Sequence, residues 1–196
     1  MKKIAIFISG RGSNMQAIAQ EVKSGILQNL CQIVLVFSNN CAAAGLQIAR
    51  QNGLPVGCIE SSGKKRAEFD LEVINFLQPY QPDYIVLAGY MRILSPVFIK
   101  AYEGKIINIH PADTRLHQGL HAYQWAFENQ LETTTITIHY VNEGVDTGQI
   151  IAQQTVDLKG AATLEEVEQR GLQAEYALYS KTLAKIFAEP HSITAP

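Results

Sequence analysis

The chain has 196 residues, 47% of them hydrophobic and 17% charged, an ordinary globular balance. That length favours one domain, which buries roughly 70% of its unfolded surface. Sixteen Lys and Arg against eighteen Asp and Glu leave a net charge of −2, which argues against a nucleic-acid-binding surface, and no apolar run approaches the ~18 residues of a membrane span.

Met1-Lys2-Lys3 before IAIFI imitates a signal peptide, but the apolar stretch is short and Gly10-Arg11-Gly12 interrupts it. KIAIFIS (3–9) reads instead as a buried strand, because its apolar run is nearly continuous. Met15, Ile18, Ala19 and Val22 then follow helical spacing, with Gly25 as the stop. IVLVFS (33–38) predicts a second strand, and Asn40 is placed to cap a helix ending near Gly53. PVGCIE (55–60) is a short third strand, and Phe69, Val73, Phe76 and Leu77 mark a helix that must end by Pro79. YIVLA (84–88) is a fourth strand, followed by Ser95-Pro96 as N-cap and first helical residue. KIINI (105–109) is the fifth, and a helix is expected over 120–129. The alternating TTITIHYV (134–141) can pair with IIAQQTV (150–156), and Thr163-Leu164-Glu165-Glu166 has the spacing of a capping box opening a helix to about Phe187.

Strands alternating with helices predict a single-domain, Rossmann-like α/β fold over residues 1–188. Its sheet should be mostly parallel, with helices on both faces and an antiparallel C-terminal portion. Residues 189–196 are expected to form a flexible tail. Ligands in such folds bind beyond the carboxyl ends of the strands, which directs attention to 9–14, 89–94 and 108–121.

The first of these, Ser9-Gly10-Arg11-Gly12-Ser13-Asn14, brings two glycines to a helix N-terminus, with Ser13 and Gln16 at capping-box spacing. Met15 stands where a dinucleotide fingerprint needs its third glycine, and the second strand ends in Ser38-Asn39-Asn40 without an acid for a ribose. A single terminal phosphate suits the turn better than NAD; the alternative is a tight turn with a good cap. In Asn108-Ile109-His110 the two polar side chains share one face of a strand end, while Ile107 and Ile109 face the other way. An amide and an imidazolium there could stabilise an oxyanion, or simply satisfy backbone groups. Asp146, in Gly144-Val145-Asp146-Thr147-Gly148, could favour the charged form of His110, act as a base through water, or only shape its loop. His139 reads as partly exposed or supporting. His117 and His121 lie four apart but flank Gly119, and no third metal ligand converges with them. Cys31, Cys41 and Cys58 are odd in number and lack a CxxC pair, which argues against a disulfide framework and for a reducing cytoplasm.

Together ISGRGSNMQAI (8–18), VFSNN (36–40), LAGYMRILSP (87–96), NIHP (108–111), GVDTG (144–148) and AEYALY (174–179) resemble the folate-dependent glycinamide ribonucleotide formyltransferases of purine synthesis. The resemblance runs over essentially the full chain and implies the formyltransferase fold. It implies a 5′-phosphate at Gly12, Ser13 and Asn14, and a folate pocket lined by Met91, Arg92, Ile93 and Leu94. Asn108, His110 and Asp146 would be catalytic. More weakly, Arg66 would lie near the folate glutamate tail and Glu175 against the substrate. The implied co-substrate is 10-formyltetrahydrofolate, with no metal, nucleic acid or membrane partner, in a monomer or homodimer. No room is expected for the extra domain of transfer-RNA-modifying relatives, and no regulatory domain ahead of the first strand.

One segment departs from that pattern. Where the family continues His-Pro-Ser-Leu-Leu-Pro, this chain has His110-Pro111-Ala112-Asp113-Thr114-Arg115-Leu116-His117-Gln118-Gly119. Asp113 and Arg115 either pair with one another as a loop lock, the favoured reading, or Arg115 offers its fork to an anionic substrate group. A different amine acceptor, formyl-folate hydrolysis and a non-catalytic folate- or nucleotide-binding protein are the competing readings.

Overall fold

In the computed structural model, which describes residues 1–189, the apolar run Lys2–Ile8 forms β1 and is buried on both sides. Ile4, Ile6 and Ile8 enter one apolar layer, while Ala5 and Phe7 enter the opposite one. This two-sided burial explains why the run does not alternate. There follow α1 (Ser13–Ser24), β2 (Cys31–Ser38), α2 (Ala44–Gln51), β3 (Val56–Cys58), α3 (Arg66–Leu77), β4 (Tyr84–Leu87) and α4 (Pro96–Ala101). The second half comprises β5 (Ile106–His110), α5 (Ala122–Glu128), β6 (Thr133–Tyr140), β7 (Ile150–Asp157) and α6 (Leu164–Ala188). The expected tail, apart from Glu189, lies outside the described residues.

The strands form one sheet in the order β3-β2-β1-β4-β5-β6-β7. Pairing is parallel from β3 through β5 and antiparallel for β5–β6 and β6–β7, as the alternating residues 134–141 predict. Helices cover both faces. Met15, Ile18, Leu46, Tyr179 and Leu183 pack on one, and Phe69, Val73, Leu77 and Phe98 on the other. The Tyr179 hydroxyl, fully buried, lies 3.0 Å from the carbonyl oxygens of Leu87 and Ile107, fixing α6 across β4 and β5. Connections leave β1 toward β2 and return to β4 on its other side, so a crevice opens between the carboxyl ends of β1 and β4.

Several local expectations change. Gly12, at φ 75°, is the N-cap of α1, and neither Ser13 nor Gln16 forms a side-chain cap. A Cβ at Gly12 would sit 2.9 Å from the Gly45 Cα, so the close approach of α1 and α2 requires glycine. Asn40 caps no helix. It takes the Ala42 N–H in a local turn, and α2 begins only at Ala44. At Thr163 the expected cap forms, with Glu166 N–H donating to Oγ1, while the Glu166 carboxylate reaches back one residue beyond the box to accept Ala162 N–H. Cys41 and Cys58 are joined in a disulfide, against the reading of unpaired thiols. Parallel pairing of β2 with β3 sets Ser38 beside Cys58, and that adjacency is invisible in a count of cysteines. Cys31 alone is free and buried. No helix of the described residues is long and apolar enough to cross a membrane.

Candidate active site

A cleft of about 700 Å³ runs along the carboxyl ends of β1, β4 and β5. Ser9 organises its mouth. Its N–H donates to Gly89 C=O, its hydroxyl donates to Asn39, and Met91 N–H donates to that hydroxyl. The turns after β1, β2 and β4 are thereby tied at one residue. Gly12, Ser13 and Asn14 line one end of the cleft, where the first N–H groups of α1 have no partner within the helix. Asn14 Nδ2 donates inward to Glu175, whose other carboxylate oxygen accepts from the Tyr123 hydroxyl. Tyr123 gets that close because a Cβ at Gly171 would overlap its ring. Burial pushes the Glu175 carboxyl up, and its two hydrogen bonds only partly oppose this.

The floor is built by register. Antiparallel pairing sets Asn108 opposite His139 and His110 opposite Thr137. A register shift between Ile138 and His139 in the β6–β7 ladder lies at this point, and irregularities of this kind often aim a side chain at a site. Asn108 Nδ2 lies 3.2 Å from His139 Nε2 and donates to Asp146 Oδ1 at 3.3 Å. Asp146, in the left-handed region at φ 51°, also holds His110 Nδ1 at 3.5 Å, His139 Nε2 at 3.4 Å and Gly119 N–H at 2.9 Å. The structure thus joins Asp146 to Asn108 and His110, which sequence spacing could not do.

His139 takes the supporting position that the sequence allows it, against Asn108 and Asp146, and at 1% exposure it is buried, so the partly exposed alternative falls away. The signal available was the polar position within TTITIHYV, which meets Asn108 only in the correct antiparallel register.

Burial raises the Asp146 carboxyl, but the His139 ring, Gly119 N–H and the neighbouring imidazoles outweigh it and hold its pKa below the usual value. For His110 the balance runs the other way. Burial lowers its pKa more than Asp146 raises it, so the expected imidazolium is replaced by a neutral ring at pH 7. Its Nε2–H donates 3.0 Å to the His117 carbonyl. The proton that burial disfavours is the second one, on Nδ1 beside Asp146. Asn108 Nδ2 and His110 Nε2–H are thus both engaged within the protein. A carbonyl-bearing ligand could take the place of the His117 oxygen, giving an oxyanion-type site next to a carboxylate base.

The divergent segment folds over this floor. His117 stacks on His110, with centroids 6.1 Å apart, and packs against Trp125. Asp113 and Arg115 pair through two side-chain hydrogen bonds of 2.9 and 2.6 Å, as the loop-lock reading expects.

On the opposite wall Met91 and Ile93 are 63% and 51% exposed and face the cleft, while Leu94 is buried behind them. The Arg92 guanidinium lies 4.5 Å from the Phe69 ring centroid and donates to Lys64 C=O. Arg66, at the start of α3, is exposed and lies apart from the residues lining the cleft. Among the described residues no group of three or more His, Cys, Asp and Glu is arranged to hold a metal ion.

Comparison with known proteins agrees with this architecture. The formyl transferase family model matches residues 2–183. The phosphoribosylglycinamide formyltransferase of Haemophilus influenzae is 40% identical over 180 residues, covering 91% of this chain and 84% of that protein. The trifunctional purine biosynthetic protein adenosine-3 of Bos taurus is 37% identical over 182 residues, of which this chain spans only 18% of the length. The crystal structure of phosphoribosylglycinamide formyltransferase from Bacillus halodurans superposes with a TM-score of 0.91 at 37% identity, covering 100% of both chains. The sheet order, the cleft at its switch point and these matches lead to one conclusion: the chain belongs to the formyl transferase family.

Proposed function

We propose that this protein transfers the formyl group of 10-formyltetrahydrofolate to the primary amine of glycinamide ribonucleotide. The observation that carries the reading is the meeting of Asn108, His110 and Asp146 at the floor of a cleft that also contains the Gly12–Asn14 turn. The names of relatives similar over most of this chain and most of their own length support it.

The substrate nitrogen attacks the formyl carbon, forming a C–N bond while the carbonyl oxygen takes the electron pair. Asn108 Nδ2 and His110 Nε2 are the donors for that oxygen, His110 exchanging the His117 carbonyl for it. Asp146, whose pKa is held low and which is ionised at neutral pH, takes the amine proton through water and favours a proton on His110 Nδ1 as negative charge develops. Collapse of the intermediate breaks the bond to folate N10, which leaves with a proton. No step calls on a metal.

The N–H groups at the start of α1, with Ser13, receive the 5′-phosphate. Asn14, expected at the phosphate, turns its side-chain amide onto Glu175, and the two face the body of the nucleotide, while Met91–Leu94 form the folate wall. Arg66 can reach only a ligand extending beyond the cleft, such as a glutamate tail. A turnover assay with both substrates tests this, with a control lacking the acceptor. Formylated product is expected. Formate release without acceptor would mark a hydrolase, and binding without turnover a non-catalytic protein.

A further inference from the structure

Asp70 lines no part of the cleft, yet it is 1% exposed on α3, the helix whose Phe69, Val73 and Leu77 enter the apolar layer on this face of the sheet. A carboxylate in such a layer is costly unless something answers its charge. Its Oδ2 accepts the Ser95 N–H at 2.6 Å. Ser95 is the N-cap of α4 and was expected to cap that helix with its own hydroxyl, but it makes no such bond. The negative charge at the start of α4 comes instead from α3, across the layer. Beside it, Arg92 stacks on Phe69, the neighbour of Asp70. Asp70 Oδ1, Tyr90 Oη, Arg92 Nε and Ser95 Oγ are all buried with no hydrogen-bond partner among the described residues. The Tyr90 phenol is pushed up by burial and by Asp70, and is opposed by Arg92, so the three groups act on one another.

We propose that Asp70 is a positioning residue that fixes the segment from Tyr90 to Ser95, and with it the exposed Met91 and Ile93 of the cleft wall. Two backbone N–H groups anchor the ends of this segment on side chains. One is Met91 N–H on Ser9, at its start; the other is Ser95 N–H on Asp70, at its end. Between them Met91 and Ile93 project into the cleft, 63% and 51% exposed, over the buried Leu94 and with Arg92 held on Phe69 and Lys64 C=O, so the two end bonds set where this wall begins and ends. The role assigned to Met91 and Ile93 as a folate wall rests on the function proposed above; the anchoring itself does not.

The test compares the full chain carrying Asp70→Asn with the wild type and with Asp83→Asn. Asp83 takes Lys3 N–H at 2.7 Å, the same kind of bond at the opposite end of the sheet. Native-state hydrogen exchange should speed up about 10-fold at residues 91–95 in Asp70→Asn, with less than about a 2-fold change at Asn108–His110. Asp83→Asn should leave 91–95 unchanged. Affinity for 10-formyltetrahydrofolate should fall about 10-fold while that for glycinamide ribonucleotide changes less than about 2-fold. Should Asp70→Asn not fold, Asp70→Glu keeps the charge but displaces it, and the same amides should exchange faster. Unchanged exchange at 91–95, or a uniform rise matching Asp83→Asn, overturns the proposal. A wild type that binds no folate overturns the functional reading, while the exchange data still decide the role of Asp70.

Discussion

Asn108 and His139 face one another because β5 and β6 pair in register. His117, by contrast, reaches His110 only because residues 113–119 fold back over it on side-chain and loop contacts. The floor is fixed by a ladder of backbone hydrogen bonds and by flanking residues such as Ile107, Ile109, Ile136 and Ile138 in one apolar layer. The overhanging segment is fixed by the Asp113–Arg115 pair, by Thr137 donating to Ala112 C=O, and by Gly119 N–H on Asp146. Departures from the family pattern fall in the segment, and the titratable His110, His139 and Asp146 meet at the floor. Local contacts tolerate sequence change; a sheet register shifted by one residue would turn Asn108 and His110 away from Asp146. The two regions meet at His110 Nε2 and Asp146 Oδ2, each held by a backbone group of the segment.

Removing the charge from the floor should break the contrast most severely. Asp146→Asn keeps the size of the side chain and an acceptor for Gly119 N–H, so the fold should survive while kcat falls ~100-fold or more. Steady-state rates beside a melting curve decide this, and near-wild-type turnover in a folded variant removes Asp146 from the mechanism.

The glycine turn comes next. Gly12→Val imposes a β-branched side chain at positive φ and a clash with Gly45, a strain of about 1–3 kcal/mol, so both the melting temperature and nucleotide affinity should drop. Gly10→Ala, where a Cβ meets nothing within 4 Å, should bind as the wild type does. Calorimetry on both ligands separates a local loss from misfolding, since equal losses for folate and nucleotide would mean the latter.

The pH dependence of stability gives a subtler contrast. Burial sets the folded pKa of His110 below its ordinary value of 6.5, so between those two values the unfolded chain binds more protons. The stability tied to neutral His110 is full above that ordinary value and is lost as pH falls through the folded one. Asp146, also lowered, contributes above the ordinary carboxylate range and loses its contribution only at more acid pH. The melting-temperature advantage of wild type over His110→Gln should therefore shrink on acidification from pH ~7 to ~5. An advantage that grows would mean His110 is held charged.

The smallest effect belongs to the segment. Arg115 is paired with Asp113 on the surface, and Arg115→Ala should leave KM for glycinamide ribonucleotide within about 3-fold of wild type. A rise of ~100-fold at constant kcat would place Arg115 in the acceptor site.

Much of the fold was legible because periodicity and turn residues agree. The continuous run at β1, the helical spacing from Met15 to Val22 and the alternation at β6 each report how many faces are buried. The site was legible where a motif is local, as in Asn108-Ile109-His110, and illegible where register or tertiary contact decides. His139 depends on which residue of β6 faces Asn108, and Cys41–Cys58 on the adjacency of β2 and β3. The neutrality of His110 depends on how deeply its ring is buried. Asp70, among the apolar positions of α3, gains meaning only when Ser95 arrives beside it.

In the mechanism proposed above, Asn108 and Asp146 act as one unit on the substrate. The most direct measurement is a double-mutant cycle on kcat for formyl transfer, using Asn108→Ala, Asp146→Asn and the double variant, with binding of both ligands verified for each. Groups acting as a unit give a double variant about as slow as the worse single one, a coupling of roughly 2 kcal/mol or more. If the two losses simply multiply, the residues act independently and the account of the floor is wrong.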